Sequence, residues 1–247
     1  MTKIILSGCA GHMGRVITAL VNGKDNAEIV AGVDLNTEAN LGYPIYANIN
    51  DVKEDADVVI DFSHVSVLDS ILTFAKNNSK VALVLCTTGY TPEQVEKIKE
   101  TSKESPVFYS RNMSIGINLL IELSKKAKAV LGDDFDIEII EKHHNQKLDA
   151  PSGTALMIAD AIADDDTVYT YDRHAIRKKR EKTEIGISSV RGGTIVGEHE
   201  VIFAGNNEVI TLSHSAQSKD LFAAGAVNAA IFMSGKGAGL YDMSAMI

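Results

Sequence analysis

Two histidines and a lysine fall close together at His143, His144 and Lys147, and Ser152, Gly153 and Thr154 follow shortly after. Imidazole is the side chain best suited to give up a proton near neutral pH. The lysine adds positive charge, so the three make a cationic pocket. Ser152-Gly153-Thr154 opens a stretch with helical patterning over 154–163. Hydroxyls and free backbone N–H groups therefore converge at a helix start, where anions are favoured. Such a set can grip a carboxylate and protonate something beside it. A metal pair is disfavoured, because adjacent residues on an extended chain point to opposite faces. A solvated basic loop ahead of a capped helix is the chemically silent alternative.

A second group of residues lies at the start of the chain. The apolar run 3–8 leads directly into Gly8-Cys9-Ala10-Gly11-His12-Met13-Gly14. The spacing is G-x-x-G-x-x-G, with Ala10 where the usual dinucleotide fingerprint has its second glycine. Glycines there let a backbone approach a pyrophosphate at a helix N-terminus. A glycine-rich turn without a ligand is the plain alternative. Context favours the ligand: a strand before, a helix after, and Asp34 about 20 residues on, where a ribose hydroxyl would be held. A carboxylate at that place repels a 2′-phosphate, and Leu35 and Asn36 bring no positive charge. NADH is therefore expected over NADPH. Thr87, Thr88 and Gly89 follow a later apolar run, at the kind of strand end that faces a nicotinamide. Asp61-Phe62-Ser63-His64 has an equivalent place, with His64 read as a helix-entry residue.

The elements that must position these groups follow from periodicity. Strands are predicted over 3–8, 28–33, 57–61, 81–85 and 107–109, with helices over 13–22, 65–76 and from Pro92 onward. Alternating buried strands and helices predict a parallel, doubly wound sheet. Beyond residue 114 the pattern changes. Helices are predicted over 115–131 and 154–163, and strands over 136–142, 184–190, 194–204 and 208–214. Asn206-Asn207 marks a hairpin turn, 164–182 reads as a surface loop, and an alanine-rich helix spans 220–233. The fold class is α/β: a Rossmann-like nucleotide-binding domain joined to an α+β domain with a mixed sheet.

Composition excludes other classes of function. The chain has 247 residues and a formal net charge of -9, which argues against nucleic acid or an anionic membrane as partner. Two cysteines, Cys9 and Cys86, form neither a disulfide framework nor a zinc set. No apolar run approaches the roughly 20 residues that span a bilayer, and the N-terminus does not read as a signal peptide. The cytoplasm is the expected compartment.

The segment from Glu141 to Ala155, E-x-H-H-x-x-K-x-D-A-P-S-G-T-A, resembles the signature of the 4-hydroxy-tetrahydrodipicolinate (dihydrodipicolinate) reductase family. The likeness runs the whole length of the chain. It includes the Gly8–Gly14 loop, Asp61-Phe62-Ser63, Thr87-Thr88-Gly89, the stretch 112–118, Arg191-Gly192-Gly193, Val196-Gly197-Glu198-His199 and Ser234-Gly235-Lys236.

The resemblance implies a nucleotide domain of residues 1–114 with 219–247, and a substrate and oligomerisation domain of 115–218 that builds a homotetramer. By position it makes His143 the general acid and Lys147 its partner, with no resident metal. His144, Ser152, Gly153 and Thr154 would hold a dicarboxylate substrate. Gly8, Gly11, His12, Met13, Asp34, Thr87, Gly89, Ser110 and Met113 would contact NADH or NADPH. Family members that favour NADPH often carry a basic residue where this chain has Leu35, and often have glycine where it has Cys86. Two rival readings are a semialdehyde or sugar dehydrogenase and a non-catalytic dinucleotide sensor. The first would need a nucleophilic cysteine in the second domain or a different lysine site. The second would have no use for an acid beside a carboxylate pocket.

Overall fold

Ile4, Ile5 and Leu6 are fully buried, so the first strand is apolar on both faces, as a central parallel strand requires. From this strand, β1 (Thr2–Ser7), the chain runs through α1 (His12–Asn22), β2 (Ala27–Val33), β3 (Ile45–Tyr46), β4 (Val58–Asp61) and α2 (Leu68–Asn77). It continues through β5 (Ala82–Leu85), α3 (Pro92–Ser102), β6 (Pro106–Tyr109), α4 (Ile115–Leu131), β7 (Asp136–His143) and α5 (Gly153–Ile162). The last elements are β8 (Val168–Thr170), β9 (Glu184–Arg191), β10 (Gly197–Ala204), β11 (Val209–Ala216), α6 (Asp220–Met233) and β12 (Gly239–Tyr241). This computed structural model describes residues 1–247. It divides into two compact units: Met1–Ser114 with Asp220–Ile247, and Ile115–Lys219.

The first unit is an all-parallel sheet of seven strands in the order β12-β6-β5-β4-β1-β2-β3. Side chains alternate between its faces. Ile4, Leu6, Val58, Ile60 and Val84 pack with Ile17 and Val21 of α1 and with the alanines of α6. Ile5, Val59, Leu83, Leu85 and Val107 pack on the other side against Leu68, Ile71 and Ala75 of α2 and Ile98 of α3. Helices thus cover both faces. α3 starts where Thr91 and Gln94 cap each other's backbone N–H groups, with Pro92 as the first helical residue. His64 accepts from the N–H of Ser66 and so caps the short turn Val65–Val67.

The second unit is a five-stranded sheet in the order β11-β10-β7-β9-β8. β10 pairs antiparallel with β7 and β11, whereas β9 pairs parallel with β7 and β8. Ile137, Ile139, Ile185, Ile187, Val201 and Phe203 face Ile117, Leu120 and Ile121 of α4 and Ala155, Ile158 and Ile162 of α5. Both helices of the unit lie on this one face.

Three strands depart from the expectation. The charged stretch 164–182 is not loop throughout, because β8 lies within it as an edge strand. β3 and β12 extend the parallel sheet at its two edges. Each of the three has two or three residues, too few for a period to be read. The three late strands are also not one antiparallel run: β7 lies between β9 and β10.

Candidate active site

The second unit carries its polar groups at one end of the helix-covered face. Along β7 the inward positions are Ile137, Ile139, Glu141 and His143, so the strand turns from apolar to ionisable without changing face. The register sets Glu141 beside Ser189 of β9 and His199 of β10, and His143 beside Arg191. The N-terminus of α5 closes the corner. Ser152 is its N-cap, with Oγ accepting from the N–H of Ala155.

Glu141 is the hub. Its side chain is wholly buried, and Arg191 grips it with both arms, Nη2 to Oε1 at 2.7 Å and Nη1 to Oε2 at 2.9 Å. Oε2 also lies 2.6 Å from Nδ1 of His143, and Oε1 accepts from the N–H of Ser152 at 3.2 Å. Burial pulls this carboxyl upward, but the hydrogen bonds from Arg191, Ser189 and His143 outweigh it and bring the pKa down to about 2.

His143 is 9% exposed. Burial moves its pKa below the ordinary value, with Glu141 pulling the other way. His199 stands edge-on to it, ring centroids 5.2 Å apart. Burial first, and the neighbouring His143 second, push His199 down to about 4, so it is uncharged at neutral pH. Its Nε2 is 3.1 Å from the Ser152 hydroxyl.

The loop between β7 and α5 carries Lys147, whose Nζ is 2.8 Å from the Asp149 carboxylate. Lys147 holds the Asp149 carboxyl below its usual range. Arg191 also donates to the carbonyl of Asp149, and the N–H of Gly192 to that of His143. His144 is half-buried just past the strand, its carbonyl accepting from the N–H of Lys147. Gly153 and Thr154 form the first turn of α5. The structure therefore joins His143 and Ser152 through one carboxylate, with Lys147 near enough for its charge to be felt by both buried histidines. Glu141, Arg191 and His199 stand in the segments that carry the family likeness but are given no role there. The two-residue spacing of Glu141 from His143 places that carboxylate on the histidine's face.

The first unit has its own site at the C-terminal ends of β1 and β4, where the strand order reverses and ligands of open sheets bind. Gly8 has φ +77°, and a Cβ there would lie 2.4 Å from the carbonyl oxygen of Phe62. A Cβ on Gly14 would lie 2.3 Å from the carbonyl oxygen of Gly8. The loop is thus drawn tight over the start of α1, whose N-cap Gly11 offers no side chain to the first N–H groups. His12 is exposed and Met13 half-buried in that first turn.

Asp34 follows β2, its Oδ2 accepting from the N–H of Ala10 and Oδ1 from that of Asn36, each at 3.0 Å. Each carboxylate oxygen keeps a lone pair for a hydroxyl. Leu35 beside it is 94% exposed. A cleft of about 520 Å³ runs between Gly8, Gly11, Asp34, Leu35, Phe62 and Ser63. A glycine cradle, an uncapped helix end and a carboxylate with spare lone pairs fit a dinucleotide.

Other candidates are more withdrawn. Thr87 is buried, donating to Asp61 and accepting from the N–H of Ser63. Met113 is packed in the core, and the Ser110 hydroxyl donates to the carbonyl of Asn112. Gly89 has φ +88° and open space around it.

Comparison with known proteins covers both units. The family model described as dihydrodipicolinate reductase, N-terminus, matches residues 2–113, and the one described as dihydrodipicolinate reductase, C-terminus, matches 116–247. The second match spans part of both compact units, since residues 220–247 belong with the first. A curated 4-hydroxy-tetrahydrodipicolinate reductase of Clostridium novyi is 54% identical, covering 100% of this chain and 98% of its own length. The protein of that name from Caldanaerobacter subterraneus subsp. tengcongensis is 51% identical over 100% of this chain and 98% of its own. The dipicolinate-bound dihydrodipicolinate reductase of Paenisporosarcina sp. TG-14 superposes with TM-score 0.79 at 26% identity, over 98% of this chain and 97% of that one.

Proposed function

The chain belongs to the dihydrodipicolinate reductase family, and we propose that it reduces 4-hydroxy-tetrahydrodipicolinate, by way of the dehydrated cyclic imine, to tetrahydrodipicolinate. It is an oxidoreductase of amino-acid biosynthesis that depends on a nicotinamide nucleotide, NAD(P)H. The observation that carries the substrate reading is the corner of Glu141, His143 and Ser152. A buried, carboxylate-held imidazole sits beside a capped helix start and a lysine. That is equipment for protonating a molecule held by its own carboxylate.

When bound, the nucleotide supplies hydride. The chain's own groups do the rest. Gly8, Gly11, His12 and Met13 approach the pyrophosphate, and Asp34 accepts from a ribose diol. Gly89 and the backbone of Thr87, Ser110 and Met113 border the nicotinamide. Asp34 next to exposed Leu35 supports NADH as the preferred donor, since a carboxylate repels a 2′-phosphate and Leu35 brings no charge to pair with one. Lys147, His144, Ser152, Gly153 and Thr154 hold the substrate carboxylates, and His143 delivers the proton that must follow the hydride.

The second unit also serves assembly. The face of its sheet opposite α4 and α5 carries Ile140, Ile202, Val190 and Val209, the last two 45% and 61% exposed. Between them lie charged side chains paired within the chain, Lys142 with Glu198 and Glu200 and Arg180 with Asp136 and Glu138. Neither helix of the unit covers this mixed face, which supports self-association as a homotetramer. No helix is long and apolar enough to cross a membrane, and the cytoplasm is the proposed compartment.

The test is oxidation of NADH and of NADPH with substrate generated in place from pyruvate and aspartate semialdehyde by a condensing synthase. Substrate-dependent oxidation, faster with NADH, is expected. Folded protein that binds nucleotide yet oxidises neither would leave a nucleotide sensor as the better reading.

A further inference from the structure

We propose that Glu141, clamped by Arg191, is the positioning residue for the proton donor: it fixes Nδ1 of His143 as the buried N–H and leaves Nε2 to hand over the proton. The proposal deepens the reductase reading above and rests on it.

The geometry supports each part. An ionised carboxylate only accepts hydrogen bonds. Oε2 of Glu141 is 2.6 Å from Nδ1, so that nitrogen must carry a hydrogen in every state of the ring. The titrating nitrogen is then Nε2. The Arg191 fork and the N–H of Ser152 take the remaining acceptor sites, so Glu141 has no room to rotate. Arg191 has a second effect. Two charge-assisted bonds make Glu141 too weak a base to draw the proton off the imidazolium.

Nε2 is kept clear by the opposite strand. A Cβ on Gly197 would lie 3.1 Å from it, and glycine leaves that edge uncovered. His199 forms the other wall, engaged with Ser152 and uncharged. The charged and titratable groups facing His143 are Glu141 on its own strand, Arg191 from β9, His199 from β10 and Lys147 from the following loop.

In the reaction two electrons and a hydrogen arrive as hydride from NAD(P)H at the conjugated ring. The Nε2–H bond breaks, and its proton joins the atom on which negative charge collects. Oxidised nucleotide and a neutral ring protonated on Nδ1 remain, and solvent restores the Nε2 proton. Through Ser152 the same carboxylate ties the donor to the helix end that holds the substrate, so acid and substrate move as one body.

The test combines spectroscopy on the intact protein with two variants. ¹⁵N-histidine NMR above the titration of His143, assigned by difference against His143→Gln, is expected to show Nδ1 protonated and Nε2 bare. Glu141→Gln should lower kcat by about tenfold or more, with KM moving less. It should also shift the alkaline limb of kcat/KM to lower pH, because the carboxylate that favours the charged ring is gone. Arg191→Met should shift that limb to higher pH, because Glu141 then binds the imidazolium harder. A merely structural pair would not move the limb in opposite directions. A neutral His143 protonated on Nε2, or an alkaline limb unmoved in a folded Glu141→Gln enzyme, would overturn the proposal. If that variant does not fold, the wild-type tautomer decides. Absence of reductase activity in the wild type would sink the parent reading while leaving the tautomer measurable.

Discussion

Replacing Glu141 by glutamine removes a buried charge and should be visible in stability as well as in rate. The carboxyl titrates at about 2 in the folded chain against 4.5 for the free group. At about 1.4 kcal/mol per pH unit this corresponds to about 3 kcal/mol at neutral pH. A second route agrees: removing one member of a buried ion pair costs about 3–5 kcal/mol. The low end applies, because the Arg191 side chain left behind is 19% exposed and retains water.

The sign follows from the depressed folded-state pKa. The stabilisation is complete above the unfolded value of 4.5 and is lost as pH falls toward 2. Because Glu141 also favours the charged His143 ring, the gap between wild type and Glu141→Gln should not fall between pH 7 and about 5.5, and below that it should shrink by about 2 kcal/mol by pH 3 as the carboxyl is protonated. Urea unfolding at matched protein concentration, with hydrogen exchange of the β7 amides to identify the transition of the second unit, measures it. A gap below about 1 kcal/mol at pH 7, or one unchanged at pH 3, would refute the assignment of Glu141 as an ionised, arginine-clamped carboxylate.

Other perturbations separate the roles of individual groups. If His143 is the proton donor, His143→Gln should lower kcat by about 10²–10⁴-fold with KM little altered; steady-state kinetics decides. Lys147→Ala should raise KM and lower kcat together, the outcome required if its charge holds the substrate before and during the reaction. Leu35→Arg should swing the ratio of kcat/KM values toward NADPH by about tenfold or more, the equivalent of one charge-assisted bond. Leu35 is exposed, so no packing is lost. Gly14→Ala places a Cβ 2.3 Å from the Gly8 carbonyl and should abolish the thermal stabilisation that nucleotide confers on the wild type.

Much of this molecule is legible in local sequence. The bounds of α4 and α6 follow from helical periodicity alone, and the glycine loop declares itself because Gly8 and Gly14 leave no space for a side chain. His143, Lys147 and Ser152 are visible by type, since proton donors, cations and helix caps are properties of single residues and their near neighbours. The edge strands β3, β8 and β12 are different. Two or three residues carry no period, and each is a strand only because a neighbour offers unpaired backbone groups.

The same limit applies to the site. Arg191 stands 50 residues beyond Glu141 in the chain. It reaches that carboxylate because β9 lies parallel to β7 in a register that sets His143 beside it. His199 arrives from the other flank through the antiparallel pairing of β10. The sequence determined which chemical groups were present. The sheet register decided which of them share a carboxylate, and with it which nitrogen of His143 is free, because strand pairing between distant segments is a tertiary contact that no local pattern encodes.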